Sequence, residues 1–378
     1  MPTKAVLVCH QEPRPVGHGG HRRAYQIRTD LEEALGPENV FVTDDIWRHY
    51  RRRSLRQRLA DLGDNPWKLG APTHFSRHLY AFPGFLQHYE SLLSGLEGPV
   101  LSVVEHAGFA SLLPINERRG VRTVICPQNI ESFDTALMTS GRWASHARAI
   151  DFANELAILG RCEDRLLISK VEAGLLGGLG LASRFYPYRA AGEVRERLLR
   201  IRERRRAEDV EAGLFLMLGT AAHESTRDAM AWFVERMADD GLARGMRLVV
   251  AGLETDRLLP DGVRVPALEL RGWVDEHELD SLLVRAAAVV LPQRMGFGAL
   301  TRVAELACAG LPLLISRHAS LAIDLPPEAR AVDDEWIEWR QAMDEVLEGA
   351  PASTGLDAYV EWEAAQPRPL NTLATETV

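Results

Sequence analysis

The stretch from Leu291 to Ser316, LPQRMGFGALTRVAELACAGLPLLIS, gathers residue types that can hold a phosphate and a sugar. An apolar run ends at Pro292, and Gly296 and Gly298 stand in the loop before a helix that begins near Leu300. Glycines let backbone N–H groups approach phosphate oxygens, and the helix N-terminus favours the same negative charge. This order seats a diphosphate over Gly298, Ala299 and Leu300. A lone glycine pair is a weak motif, but its place between strand and helix strengthens it. Arg294 and Arg302 flank the loop, and either can meet charge developing on a leaving diphosphate. Each also reads as an ordinary surface arginine. Glu305 follows about a turn and a half into the helix, between Val303 and Leu306. A carboxylate on so apolar a helix calls for a partner, and two neighbouring ribose hydroxyls would provide one.

A second set lies in the first half. His106 follows the run PVLSVVE (99–105), at the end of a strand, where residues that face a ligand belong. It reads either as a catalytic-face histidine beside a sugar or as a hydrogen-bonded structural one. Asn129 and Glu131 in PQNIESFD (127–134) line the same face or cap the local loop. His10, His18 and His21 have imaginable metal spacing, but no carboxylate or cysteine set completes it. No Asp-x-Asp motif stands near these segments. No metal and no cofactor are therefore expected.

The elements around these residues alternate. KAVLVC (4–9) is a short apolar run suited to a parallel strand buried on both faces. A loop carrying Gly17, Gly19 and Gly20 leads to a helix over His21–Leu35, ended by Gly36 and Pro37. Strands over 40–43, 99–105, 121–126 and 165–169 follow, the last leading into a helix over 170–176. A second series begins at Gly213 with GLFLMLG and continues through MRLVVAG (246–252), ALELRG (267–272), AAAVVLP (286–292) and GLPLLIS (310–316). Alternation of this kind predicts α/β architecture with doubly wound parallel sheets. The pattern breaks between Tyr186 and Glu193. The division is into domains 1–188 and 189–355, with a closing helix and tail over 356–378, and residues beyond Pro367 are expected to lack regular structure. The arginine run at 200–206 reads as the solvated face of a helix between the domains.

The 291–312 segment resembles the nucleotide-sugar loop of family 4 glycosyltransferases, a retaining group with the GT-B fold. It is most similar to a bacterial variant running P-x-R-x-G-x-G-x-R-x-K-x-x-E-A. Pro292, Arg294, Gly296, Gly298, Val303, Glu305, Ala307, Gly310 and Pro312 match or nearly match, and Arg302 replaces the lysine. LMLGTAAHESTRDAMAWF (216–233), with Gly219, resembles the family's opening of the second domain. LELRGWVDEHELDSLLVRAAAVVLP resembles its base-binding turn, which implies that Gly272, Trp273 and Val274 contact the base. PQNIESFD resembles the first domain's H-N-x-E segment, and GHGGHRRAYQI its glycine loop, which implies an acceptor near Gly19, Gly20, Asn129 and Glu131. The resemblance implies two Rossmann-like domains facing across a cleft and a metal-independent hexosyltransferase-like reaction with retention. The wider group places a glutamate where Phe297 stands, which implies a less polar sugar pocket and a deoxygenated or unusual sugar.

Composition agrees with this class and excludes others. The chain has 378 residues, 46% hydrophobic and 26% charged, which fits two globular domains. A net charge of -9 argues against a general nucleic-acid binder. No run reaches a membrane span and no leader is read, so a cytoplasmic setting is expected, with four isolated cysteines reduced. WRHYRRR (47–53), continuing to Leu62, can form a basic amphipathic helix for a membrane surface, although a solvated face is the simpler reading. The expected partner is a nucleotide-sugar. The acceptor stays open among glycan, lipid and small natural product. Two other readings stay open: a nucleotide-sugar-binding protein without transfer activity, and a nucleotide-sugar epimerase.

Overall fold

The computed structural model describes residues 2–10, 12–43, 46, 82–133, 144–208, 210–240, 245–260, 265–349 and 355–376, with backbone alone over 144–150. The basic segment 47–62 lies outside the described residues. The chain divides into two units. Unit 1 comprises Met1–Tyr188, Phe297–Ala299 and Pro367–Val378; unit 2 comprises Arg189–Gly296 and Leu300–Gln366.

Unit 1 is built on a six-stranded sheet of order β2-β1-β3-β4-β5-β6. Its strands are β1 (Lys4–Val8), β2 (Val40–Val42), β3 (Val100–Val104), β4 (Arg122–Ile125), β5 (Asp164–Leu167) and β6 (Arg184–Phe185). Every pairing is parallel. The central strands are buried on both faces, which is why their sequences run apolar without alternation. The helices are α1 (Gly19–Leu35), α2 (Pro83–Ser94), α3 (Leu113–Arg119), α4 (Ala144–Arg161) and α5 (Lys170–Gly178). Ala24, Ile27 and Leu31 of α1 pack with Ala5 and Leu7 of β1 in one core cluster.

Unit 2 repeats the plan with order β12-β11-β10-β7-β8-β9. Its strands are β7 (Glu211–Leu218), β8 (Arg247–Ala251), β9 (Leu268–Gly272), β10 (Ala286–Leu291), β11 (Leu313–Ser316) and β12 (Ala329–Val332), again all parallel. Its helices are α6 (Gly192–Ala207), α7 (Glu224–Asp240), α8 (Glu276–Arg285), α9 (Thr301–Cys308), α10 (Trp336–Leu347) and α11 (Leu356–Ala365). Trp339 of α10 is fully buried with Phe233 of α7, its ring edge-on at 5.4 Å.

Two expectations are corrected. Residues beyond Pro367 are ordered as α12 (Pro369–Thr375), because Leu370, Leu373 and Ala374 join the α1 core cluster. The arginine run is not simply solvated. Arg202 is 2% exposed and paired with Glu328, and its Nε donates to the Cys308 carbonyl at 3.0 Å. Arg205 donates to the carbonyls of Val284 and Ala286. The last carbonyls of a helix lack intrahelical partners, and buried guanidinium groups satisfy them here.

Each sheet reverses its winding once. In unit 1 the chain passes from β1 to β2 on one side and returns to β3 on the other. In unit 2 it passes from β7 through β8 to β9 and returns to β10. Ligands of open parallel sheets bind outside the carboxyl ends of the strands at such switch points.

Candidate functional site

At the switch point of unit 2, β7 ends at Leu218 and β10 at Leu291. Leu218, Thr226, Met230, Pro292, Gln293, Leu300 and Arg302 line a small cavity there. Nη1 of Arg302 donates to the Leu218 carbonyl. A Cβ on Gly219 would lie 2.6 Å from the same Nη1, and a Cβ on Gly252 only 1.6 Å from the Gly219 oxygen. The Gly252 backbone, at φ of +139°, therefore needs glycine to bring the ends of β7 and β8 together, while at Gly219 only side-chain ends crowd a Cβ. Sequence reasoning missed Gly252, and its signal was a glycine directly after an apolar strand.

Leu300 is the N-cap residue of α9, and Glu305 lies 6% exposed on that helix beside buried Val303, Ala304 and Leu306. Its burial excludes a solvent-facing role. Burial lowers the pKa of Arg197, but Asp280, Glu276 and Glu305 together raise it, so the Glu305 charge acts on that guanidinium. Gly296 has φ of +121° and its carbonyl lies 3.0 Å from His318 Nε2. Gln293 reaches Ser225 Oγ at 3.3 Å, which ties the loop to α7.

Arg294 goes elsewhere. Its guanidinium lies 4.5 Å over the Trp232 ring and lines a separate cavity with Arg236, Asp334 and Trp336. The two arginines thus line different cavities. Gly272 closes β9 with φ of +65°, and Trp273 beside it is 72% exposed, which rules out a core-packed tryptophan. Val274 is half-buried, one residue before Asp275, whose side chain caps α8.

Phe297, Gly298 and Ala299 belong to unit 1. The Phe297 ring is 4.9 Å from that of Phe133, and the residue is 42% exposed. A Cβ on Gly298 would meet the Gln128 carbonyl at 2.6 Å, and its φ is +73°. Ala299 is half-buried.

At the switch point of unit 1, His10 follows β1 and His106 follows β3, their rings 5.3 Å apart. His106 Nε2 lies 3.3 Å from Glu131 Oε1, and its Nδ1 accepts the Gly108 N–H at 2.8 Å. An accepting Nδ1 leaves the ring proton on Nε2, directed at Glu131. Burial lowers the His106 pKa, but Glu131, then Glu105 and Glu155, more than offset it and raise it. The Asn129 amide, turned with its nitrogen toward Glu131, donates to Oε1 at 2.7 Å. Glu105 accepts from His10 N at 3.1 Å and from Gln128 Nε2 at 2.5 Å. The structure thus brings His106, Asn129 and Glu131 together. Gly19 and Gly20 open α1 at the same edge of the sheet, where His18 Nδ1 accepts the Gly20 N–H. Sequence reasoning missed Glu155 and Glu172. Burial pushes each up to about 7.

Among the described residues no group of three or more His, Cys, Asp or Glu side chains is gathered as a metal site requires. Nor is any helix among them long and apolar enough to cross a membrane. The four cysteines are free and buried.

No family model matches the sequence. No curated protein matches it either. Solved structures do match in shape, over both units. Sucrose-phosphate synthase from Thermosynechococcus elongatus superposes with a TM-score of 0.63 at 12% identity, over 99% of this chain and 97% of that one. Anabaena HepE in complex with UDP-glucose gives 0.55 at 11% identity, over 99% and 98%, and in complex with UDP 0.55 at 9%, over 99% and 95%. The catalytic domain of starch synthase IV from Arabidopsis thaliana, bound to ADP and acarbose, gives 0.55 at 10%, over 99% and 98%. The fold is GT-B. At these identities the likeness shows the fold alone.

Proposed function

We propose that the chain is a glycosyltransferase that takes a sugar from a nucleotide-diphosphate sugar, with retention, as a family 4-like enzyme. One observation carries the reading. Of the residues singled out for phosphate and ribose, Gly219, Leu300 and Arg302 stand at or next to the β7/β10 switch point, where a doubly wound sheet binds its ligand, and Glu305 follows on the same helix as Arg302. The diphosphate lies over Leu300 at the start of α9, Glu305 takes the ribose hydroxyls, and the exposed Trp273 face beside Gly272 and Val274 takes the base. Arg302, rather than Arg294, meets the charge that develops on the leaving diphosphate, because its guanidinium stands at the end of β7 beside Gly219 while Arg294 stacks on Trp232. His106, Asn129 and Glu131 form the polar site for sugar or acceptor hydroxyls. The solved relatives whose names include UDP, UDP-glucose or ADP support the donor class.

The test is a thermal-shift screen of UDP-, GDP-, dTDP- and CDP-linked sugars. A ligand at 100 times its Kd adds about 2.7 kcal/mol. A chain indifferent to all four, alone and with nucleoside diphosphates, contradicts the reading. Product analysis then separates transfer from epimerisation and from binding alone. Turnover is expected to persist in EDTA, and activity abolished by chelation and restored by Mg²⁺ would contradict the metal-independent form.

A further inference from the structure

We propose that Glu155 and Glu172 are positioning residues, two buried carboxylates that hold the backbone of the helical turn opening at residues 130–132 and so set Glu131 against His106. The inference rests on the reading that the His106 site serves sugar or acceptor hydroxyls.

Three successive amides of the turn end on these two side chains. Ile130 N donates to Glu172 Oε1 at 2.8 Å, Glu131 N to Glu155 Oε1 at 2.9 Å, and Ser132 N to Glu155 Oε2 at 2.9 Å. Glu155 comes from α4 and Glu172 from α5, so separate helices grip one turn. Glu155 is fully buried and Glu172 is 2% exposed. Taking carboxylates out of water is costly, and a local Ser, Thr or Asn would cap a turn more cheaply. What the long-range glutamates add is a fixed position relative to two helices.

The sequence around Glu172 sharpens the point. Ser169-Lys170-Val171-Glu172 has capping-box spacing, in which the glutamate folds back onto its own helix. Ser169 Oγ does accept the Glu172 N–H, at 3.4 Å. The Glu172 carboxylate instead reaches Ile130 N and, at 3.2 Å, Gly298 N. Its Oε2 is buried without a hydrogen-bond partner. The side chain is aimed at the turn and not at its own cap.

The turn delivers Glu131, whose Oε1 receives His106 Nε2 and the Asn129 amide. The ionisable groups facing this chain of contacts are Glu105 and His10 from the ends of β3 and β1, Glu131 from the turn, Glu155 on α4 and Glu172 on α5. A turn released from its clamps lets the Glu131 carboxylate drift from the ring, and His106 loses its principal anionic neighbour.

The experiment is an NMR titration of the His106 ring in the full chain, assigned by its absence in His106→Gln. Glu131→Gln is expected to lower the His106 pKa by about 1 unit. Glu155→Met and Glu172→Met, which keep the bulk and remove both acceptor oxygens, should each lower it by a measurable part of that, although Glu131 is intact. Glu155 also acts on His106 through its own charge, so each variant is repeated on the Glu131→Gln background. A clamp that works through Glu131 has a smaller effect there, with only the direct charge of Glu155 remaining and none from Glu172. Equal shifts on both backgrounds, or no shift in either folded variant, overturn the proposal. Should Glu155→Met fail to fold, Glu172→Met decides alone. The titration is read without substrate, so a chain that transfers no sugar still answers it, and a failure of the transfer reading is seen separately in the nucleotide-sugar screen.

Discussion

Arg302 of α9 holds its guanidinium against the carbonyl of Leu218, the last residue of β7. That contact parks a fixed cation beside Gly219, at the point where the second sheet reverses its winding. A diphosphate arriving there can exchange a carbonyl partner for a charged one, which makes a stronger hydrogen bond.

Arg302→Ala is therefore expected to lower kcat/KM by about 10²- to 10³-fold, in the range found when a transition-state charge partner is removed. Arg294→Ala, which loses only the stack on Trp232, should cost less than about tenfold. Steady-state kinetics on both variants checks the ranking, and a larger loss for Arg294→Ala would reverse the assignment.

Glu172 makes a pH prediction that needs no substrate. Burial raises its pKa from 4.5 to about 7, against the lowering effect of the Ile130 and Gly298 amides. The native carboxyl then keeps a proton that the unfolded chain has already released. Its contribution to stability is fully present below pH 4.5 and is lost as pH rises through about 7. Glu155 has the same sign. Between pH 5 and 8 the decline in Tm should be shallower in Glu172→Gln, which is neutral throughout. An unchanged slope would show that the native carboxyl ionises normally.

Much of the architecture was legible because its strands are buried on both faces. The runs KAVLVC and GLFLMLG have no alternation to confuse with an amphipathic element, and both became central strands. β6 and β12 escaped, since two or four residues such as Arg184–Phe185 or Ala329–Val332 carry no periodic signal. α12 escaped because prolines at 367 and 369 read as loop, and only packing against α1 makes Leu370 and Leu373 core residues. Gly298, Arg302 and Glu305 were visible through spacing within one short segment. Glu155 and Glu172 were not, because their partners lie 23 to 126 residues away and a carboxylate on a helix looks solvated until the fold buries it.

Phe297 tests the sugar end of the site. Its ring meets Phe133 but leaves it 42% exposed, so it presents an apolar face as well as a packed one. An apolar wall disfavours a buried hydroxyl by about 1–3 kcal/mol. Phe297→Glu should move the preference, read as the ratio of kcat/KM values, from deoxy toward matched hydroxylated sugar donors. A ratio that does not move makes Phe297 a packing residue only.

Glu305 tests the central claim most directly. It is 6% exposed on α9, at the helix that opens beside the proposed diphosphate loop, and its assigned partner is a ribose. Calorimetric titration of the nucleotide-sugar found by the screen, into wild type, Glu305→Ala and the better-packed Glu305→Gln, measures that contact alone. Losing charge-assisted bonds to two hydroxyls should weaken binding by about 2–3 kcal/mol, roughly 30- to 150-fold in Kd, with the far-ultraviolet circular dichroism of the fold retained. Equal affinity in all three folded proteins would contradict the account.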